Sequence, residues 1–248
     1  MPHFGLIGYP LEHSFSVSFF TKKFREEGID AEYRNFPLKE IAGFEALVSN
    51  EPGLVGLNVT VPYKQAIMPY LDALHPTARA VGAVNTIFFC RKQHSLTLLG
   101  YNTDVIGFER SLREQDHESH KKALILGTGG SSKAVAFVLE NMGLAFRLVS
   151  RTGGEDVLTY GELDPEMIKS HTLIINTTPL GMHPNVDTFP PIPYDALTSG
   201  HLLFDLVYNP ELSRFLSKGK ERGAAIVNGS DMLVYQAEES WRIWTKER

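Results

Sequence analysis

A lysine follows a strand-like segment that carries two polar side chains. Asn58 and Thr60 alternate along that segment, and Lys64 comes four residues after Thr60. Proline suits the first position of a helix, so Pro62 predicts that Lys64 lies on the first turn of a helix running to about Leu71. The positive end of the helix dipole would destabilise a cation there, so this is a poor place for a purely structural lysine. An ordinary surface lysine is an equally good interpretation of this segment alone.

A glycine-rich turn indicates a nucleotide site in the second half of the chain. Gly127, Gly129 and Gly130 stand between a predicted strand at 123–126 and a predicted helix to about Met142. Glycines in this position let backbone N–H groups approach a pyrophosphate, whose charge is favoured at a helix N-terminus. A plain strand-to-helix turn is the simpler alternative, but the flanking pattern favours dinucleotide binding.

An arginine follows the next predicted strand, where a site for NAD would offer an acid to the ribose 2′-hydroxyl. Arg151 is flanked by the hydroxyl groups of Ser150 and Thr152. A guanidinium pairs well with a 2′-phosphate, so the sequence predicts NADP as the cofactor. The alternative is an exposed loop arginine, with Glu155 or Asp156 reaching the ribose.

Polar residues also follow the apolar strands of the first half of the chain. Strand ends of this kind tend to converge on one cleft, although Asp104 could simply cap the helix that it opens. The residues concerned are Asn58, Thr60, Asn85, Thr86, Asn102 and Asp104.

Two further segments have both a structural and a ligand-binding interpretation. Ser14 and Ser16 lie in the first strand-to-helix connection, where they could hold a carboxylate or act only as helix caps. The neighbouring His13 has no partner spacing for a metal or a catalytic triad. Gln236 falls within the apolar stripe of the last helix, so its amide needs a partner, which could be the backbone or a hydroxylated ligand.

Composition points to a small ligand. The chain has 248 residues, a formal net charge of -5 and one cysteine, Cys90. The negative charge argues against a broad nucleic-acid footprint, and a single cysteine excludes a disulfide framework or thiolate metal cluster. The sequence near Met1 lacks the pattern of a signal peptide, and no segment is long and apolar enough to span a membrane. These features predict a soluble, cytoplasmic protein.

Strand-like and helical segments alternate in two successive series, which predicts an α/β protein with two domains. The predicted division is a first domain at 1–103, a Rossmann-type domain at 104–229 and a C-terminal helix at 230–248. In the second domain, strands separated by helices predict a parallel sheet with a ligand site at the carboxyl ends of its strands. The proline-rich segment from Pro179 to Pro193 predicts a long loop.

Taken together, these motifs resemble the shikimate dehydrogenase family in their order along the chain. The matching segments are Gly8-Tyr-Pro, His13-Ser-Phe-Ser16, Asn58-Val-Thr-Val-Pro-Tyr-Lys64, Gly82-Ala-Val-Asn-Thr86, Asn102-Thr-Asp104, Gly127-Thr-Gly-Gly130, Ser150-Arg-Thr152, Asn176-Thr-Thr-Pro-Leu-Gly-Met182, Asp205-Leu-Val-Tyr-Asn-Pro210 and Gly229 through Gln236. The resemblance implies an N-terminal α/β substrate domain, a Rossmann-type NADP-binding domain and a C-terminal helix that returns to the substrate domain. It also implies reversible reduction of 3-dehydroshikimate to shikimate with NADPH.

The resemblance further implies a role for each matching residue. Lys64 would be the proton donor or acceptor, paired with Asp104. The substrate carboxylate would be held by Ser14 and Ser16, and the ring hydroxyls by Asn58, Thr60, Asn85, Asp104 and Gln236, with Tyr208 facing the substrate. The cofactor residues would be Gly127, Gly129, Gly130, Ser150, Arg151, Thr152, Thr177, Leu206 and Gly229. No metal, nucleic acid or membrane partner is implied, and the expected state is a monomer or homodimer.

The chain departs from the family pattern in one helix. A proline often follows the paired serines in the family, with His-Asn a few residues on, whereas this chain has Val17 and then Phe19 and Phe20.

Two other functions would fit the same motifs. One is a quinate or quinate/shikimate dehydrogenase, and the other is a non-catalytic NADP-dependent sensor.

Overall fold

The computed structural model describes residues 1–11, 14–93, 95–115 and 117–246, so His13 lies outside the described residues. The chain divides into two compact units. The first unit comprises Met1–Thr103 together with Ala237–Arg248, and the second comprises Asp104–Gln236. The last part of the chain is therefore assigned to the first unit.

The first unit contains a mixed six-stranded sheet in the order β2-β1-β3-β5-β6-β4. Strand β1 is parallel to β2 and β3, whereas β5 is antiparallel to both β3 and β6. The strands are β1 (His3–Gly8), β2 (Glu32–Pro37), β3 (Leu54–Val59), β4 (Ala73–Leu74), β5 (Thr86–Lys92) and β6 (Ser95–Tyr101).

Three α-helices belong to the body of the first unit: α1 (Phe15–Glu26), α2 (Phe44–Asn50) and α3 (Pro76–Val81). Helix α1 buries Phe20 and Phe24, which lie four residues apart on one face of the helix. Phe20 is fully buried, and its ring stacks on Tyr33 at a centroid distance of 4.6 Å. The ring of Phe19 packs against that of Phe20, so these two residues extend the aromatic core of this unit at the point where the family pattern has a polar pair.

The predicted helix after Lys64 is wrong. Residues 61–67 form turns, followed only by a short 3₁₀-helix, Met68–Tyr70. The backbone carbonyl of Lys64 accepts a hydrogen bond from Val84 N at 2.7 Å rather than from the next helical turn. Pro69 has no N–H to continue a helical ladder. The helix-dipole argument for Lys64 therefore does not apply.

The second unit contains a six-stranded sheet in the order β12-β11-β10-β7-β8-β9, and all its paired strands are parallel, as predicted. The strands are β7 (Lys122–Leu126), β8 (Ala145–Ser150), β9 (Val157–Thr159), β10 (Leu173–Asn176), β11 (Leu202–Asp205) and β12 (Ala225–Val227). The helices are α4 (Asp104–Arg113), α5 (Gly130–Asn141), α6 (Pro165–Ser170) and α7 (Arg214–Glu221). The short strand β9 has no clear pattern in the sequence.

The last helix, α8 (Ser230–Lys246), places its final turns in the first unit. The indole of Trp244 is fully buried there and donates to Ile87 O at 3.0 Å. A Cβ at Gly56 would lie 2.2 Å from the indole nitrogen of Trp244, so a glycine is needed in β3 for this close packing. No helix among the described residues is long and apolar enough to cross a membrane.

Candidate active site

The register of β3, β5 and β6 places polar residues at the ends of these strands close together, at one edge of the first sheet. Asn58 of β3 lies opposite Thr86 of β5, and Thr86 lies opposite Tyr101 of β6. The backbone N–H of Val59 donates to Asn85 O at 2.8 Å. The ends of these strands therefore converge at one edge within the first unit, as their sequence pattern predicts.

Asn58 is the centre of a buried hydrogen-bond network. Its side chain is 4% exposed, and Oδ1 accepts a hydrogen bond from Tyr33 Oη at 2.8 Å. The amide nitrogen of Asn58 donates to Ser240 Oγ at 3.0 Å, Thr86 Oγ1 at 3.2 Å and Asn85 O at 3.3 Å. These partners fix which end of the amide points in each direction.

The same network includes Asn85 through the segment that follows β6. Asn85 Oδ1 accepts from Thr103 N at 2.7 Å, and Asn85 Nδ2 donates to Thr103 Oγ1 at 3.0 Å. Thr103 Oγ1 lies 3.2 Å from both Thr86 Oγ1 and Ser240 Oγ. The amides of Asn58 and Asn85, both predicted to bind the substrate, thus have fixed orientations in one network.

Three members of this network have no role in the sequence prediction: Tyr33, Thr103 and Ser240. Burial is the main cause of the strongly raised pKa of the Tyr33 hydroxyl, so this group stays a neutral donor. Ser240 is fully buried and lies 2.8 Å from Thr86 Oγ1. Like Gln236, Ser240 is a polar residue within the apolar stripe of α8 and therefore needs a hydrogen-bond partner. This signal could have identified Ser240 from the sequence.

The paired serines stand at the N-terminus of α1. Ser14 occupies the N-cap position, but its side chain makes no capping hydrogen bond. Its Oγ is buried and has no hydrogen-bond partner among the described residues. Ser16 is hydrogen bonded to Tyr33, which links it to the network around Asn58. The capping interpretation of the Ser14 side chain therefore does not hold.

Lys64 and Thr60 lie in the turn that follows β3. The side chain of Thr60 packs so closely on β1 that a Cβ at Gly8 would lie 2.4 Å from Thr60 Cγ2. The bond from Val84 N to Lys64 O places the Lys64 backbone next to the segment that contains Asn85. Lys64 is half-buried. The turn thus brings the lysine to the same edge of the first sheet as the amides.

The remaining residues predicted to contact substrate belong to the second unit. Asp104 is the first residue of α4 and is only 4% exposed. Gln236 is buried, and its amide nitrogen donates to Leu233 O at 3.0 Å. Tyr208 is half-buried in the segment after β11.

The glycine turn has the geometry that a pyrophosphate site needs. Gly127 has φ +117°, and a Cβ there would lie 2.5 Å from Thr177 Oγ1. Gly129 precedes α5 at the N-cap position, where a Cβ would meet no atom within 4 Å. The turn therefore requires glycine at 127 and leaves open space beside the N-terminus of α5, which can hold an anion.

The residues that follow β8 are accessible to a ligand. Arg151 and Thr152 are exposed, and Ser150 is half-buried at the end of the strand. Arg151 acts electrostatically on Tyr160, where its positive charge partly offsets the increase in the tyrosine pKa that burial causes. An exposed guanidinium between two hydroxyl groups is a suitable partner for a phosphate.

A parallel sheet with a glycine turn after its first strand and an arginine after its second defines the class of nicotinamide-nucleotide-dependent dehydrogenases. Here this unit accompanies a mixed α/β unit. Among the described residues, no group of three or more His, Cys, Asp or Glu side chains could hold a metal ion.

Comparison with known proteins places the chain within this class. The sequence profile of the shikimate dehydrogenase substrate binding domain matches residues 6–87. A relative from Desulforamulus reducens, named shikimate dehydrogenase (NADP(+)), is 36% identical over 97% of this chain and 89% of its own length. The chain belongs to the shikimate dehydrogenase family.

Solved structures show the same fold. Shikimate 5-dehydrogenase from Thermus thermophilus, in complex with NADP(H) and shikimate, has a TM-score of 0.85 and 30% identity, over 99% of this chain and 94% of that one. Quinate dehydrogenase from Corynebacterium glutamicum, in complex with NAD, has a TM-score of 0.84 and 27% identity, over 98% of this chain and 93% of that one.

Proposed function

We propose that the protein catalyses the reversible NADP-dependent reduction of 3-dehydroshikimate to shikimate, a step of aromatic amino-acid biosynthesis. The observation that supports this most strongly is the group of polar residues at one edge of the first sheet. Asn58, Asn85 and Lys64, which match the family's motifs, lie on neighbouring segments there. The first unit, together with the end of α8, would bind the substrate, and the second would bind NADP.

The serines at the start of α1 would bind the substrate carboxylate. Ser14 Oγ is buried with no partner among the described residues, and a carboxylate oxygen would satisfy it as an acceptor. Ser16 would act beside it through its hydroxyl. The ring hydroxyls would contact polar groups, which are Asn58, Thr60, Asn85, Asp104 and Gln236, with Tyr208 facing the substrate.

The cofactor site would be formed by the second unit. The backbone around Gly127, Gly129 and Gly130 would hold the pyrophosphate. Arg151, with Ser150 and Thr152, would hold the 2′-phosphate that distinguishes NADP from NAD. Near the nicotinamide half would lie Thr177, Leu206 and Gly229.

The proposed chemistry needs one proton for each hydride. NADPH, when bound, supplies a hydride to the ring ketone of the substrate. Lys64 donates a proton to the oxygen on which negative charge develops, and it takes the proton back in the reverse direction. Asp104 would orient the Lys64 ammonium and offset its charge.

The proposed setting follows from composition and from the kind of ligand. A chain with one cysteine and a biosynthetic substrate suits the reducing cytoplasm. The proposed partners are the small-molecule substrate and NADP, with no nucleic acid or membrane, and the proposed state is a monomer or homodimer.

A spectrophotometric assay tests this function. The purified chain is incubated with shikimate or quinate and with NADP or NAD, and absorbance of the reduced cofactor is followed. We expect the highest kcat/KM with shikimate and NADP. Equal or higher kcat/KM with quinate would replace the proposal with a quinate/shikimate dehydrogenase. NADP binding without turnover of either substrate would indicate a non-catalytic sensor.

A further inference from the structure

Asp205 is a buried carboxylate at the end of β11. Its side chain is fully buried and accepts three hydrogen bonds, from Ser213 Oγ at 2.5 Å, Asn176 Nδ2 at 2.9 Å and Val207 N at 3.0 Å. Burial raises the pKa of this carboxyl to about 6, against the smaller opposite effect of those donors. An ionisable group is costly to bury, so a specific use for it is expected.

Asn176 connects Asp205 to the segment that follows the neighbouring strand, β10. Asn176 Nδ2 donates a hydrogen bond to Asp205. Asn176 Oδ1 accepts hydrogen bonds from Thr178 Oγ1 at 2.6 Å and from Thr178 N at 3.1 Å. The backbone carbonyl of Asn176 accepts from Leu206 N at 2.9 Å. Asp205 and Asn176 therefore tie together the two segments that leave the carboxyl ends of β10 and β11.

These two segments contain residues assigned to the nicotinamide half of the cofactor. Thr177 follows Asn176, and its hydroxyl donates to Leu126 O at 2.7 Å, beside the glycine turn. Leu206 follows Asp205, and a Cβ at Gly229 would lie 2.3 Å from Leu206 O. Gly229 N also donates to Val207 O at 3.2 Å. The positions of Thr177, Leu206 and Gly229 thus depend on one another through backbone contacts.

We propose that Asp205 is a positioning residue of the cofactor site, which acts through Asn176 and Val207 without touching the cofactor. Its carboxylate holds the segments that carry Thr177 and Leu206 at the spacing that the nicotinamide half requires. This inference rests on the proposed function, because that function assigns the cofactor to this unit.

Two substitutions test the role of the carboxylate. Asp205→Ala leaves three donors without their acceptor, whereas Asp205→Asn keeps a carbonyl oxygen for Asn176 and Val207 and removes the charge. The Kd for NADP is measured by calorimetry, and KM is measured separately for NADP and for shikimate. We expect the Kd for NADP to rise at least about 10-fold in Asp205→Ala and about 3- to 5-fold in Asp205→Asn. The KM for shikimate should change less than about twofold, because the first unit is intact.

A matched control separates positioning from general destabilisation of the second unit. Ile168 is fully buried in α6 within the core of that unit, so Ile168→Ala creates a cavity while both segments keep their hydrogen bonds. At a similar loss of Tm, this variant should bind NADP with the wild-type Kd.

Two results would overturn the proposal. One is a wild-type Kd for NADP in Asp205→Ala or, if that variant does not fold, in Asp205→Asn. The other is an equal weakening of NADP binding in Ile168→Ala. A wild-type protein that does not bind NADP would overturn the proposed function as well, which is a different result from a loss confined to the Asp205 variants.

Discussion

Lys64 is the residue proposed to transfer the proton, although it lies in a turn and not in the helix that the sequence predicts. The turn is held by a hydrogen bond that Val84 N donates to Lys64 O, so the position of Lys64 depends on a partner that is distant in sequence. Pro62 is a good helix-start signal, but Pro69 falls inside the predicted helix and has no N–H to continue it. The sequence motif identifies Lys64 as a candidate, whereas the backbone conformation of Lys64 depends on tertiary contacts.

Replacement of Lys64 by methionine tests the proton transfer directly. Lys64→Met keeps an unbranched side chain and removes the proton donor. We expect kcat for shikimate oxidation to fall at least about 100-fold, since general acid–base groups contribute this much or more. Steady-state kinetics gives kcat, and calorimetry should show a Kd for shikimate within a few fold of wild type. Near-normal turnover would remove Lys64 from the mechanism.

Arg151 should determine which nicotinamide nucleotide is preferred. Its exposed guanidinium can pair with the 2′-phosphate of NADP but has no such partner on NAD. We expect Arg151→Ala to raise KM for NADP about 10- to 100-fold, the effect of losing hydrogen bonds to a charged group, while KM for NAD stays nearly constant. The exposed Arg147, on β8, provides a matched control, and Arg147→Ala should leave the preference for NADP unchanged.

At the scale of elements, α8 contributes a hydroxyl to the network between Asn58 and Asn85. Most strands and helices could be predicted from sequence because their apolar periodicity is local. Ser240 could be assigned to the buried face of α8, but its bonds to Asn58 and Thr86 connect residues far apart in the chain. No periodicity within one segment contains that information.

Removal of the Ser240 hydroxyl tests the network. Ser240→Ala should destabilise the protein by about 1 to 2 kcal/mol, because buried donors and acceptors lose a partner. Tm should fall by roughly 2–8 °C in a chain of this size. KM for shikimate should also rise severalfold, with KM for NADP unchanged, since the Asn58 amide becomes less well oriented.

A buried serine of the second unit is the control for this substitution. Ser111 is 1% exposed, and its Oγ has no hydrogen-bond partner among the described residues. Ser111→Ala should therefore leave Tm unchanged or slightly higher. If Ser240→Ala has no greater effect on Tm and KM than Ser111→Ala, the network does not orient Asn58.

At the scale of the whole molecule, Asp205 links pH to stability. Its pKa is raised to about 6 in the folded protein by burial, above its ordinary value of 3.8. The native state therefore holds this proton more tightly than the unfolded state does. The stability that this group contributes is fully present below the ordinary value and is lost as pH rises toward 6. A shift of this size corresponds to about 3 kcal/mol.

Denaturant unfolding across that window measures the effect. Asp205→Asn cannot ionise, so the unfolding free energy of the wild type minus that of the variant should fall by about 2 kcal/mol between about pH 4 and pH 6. A difference that stays constant across this window would contradict the prediction.

The packing of α8 gives the two units different optical properties. Both tryptophans of the chain, Trp241 and Trp244, lie in the part of α8 that belongs to the first unit. Their rings pack against Phe4 and Phe20. Intrinsic tryptophan emission is therefore a built-in reporter of order in the first unit alone, and unfolding of the second must be followed by another probe.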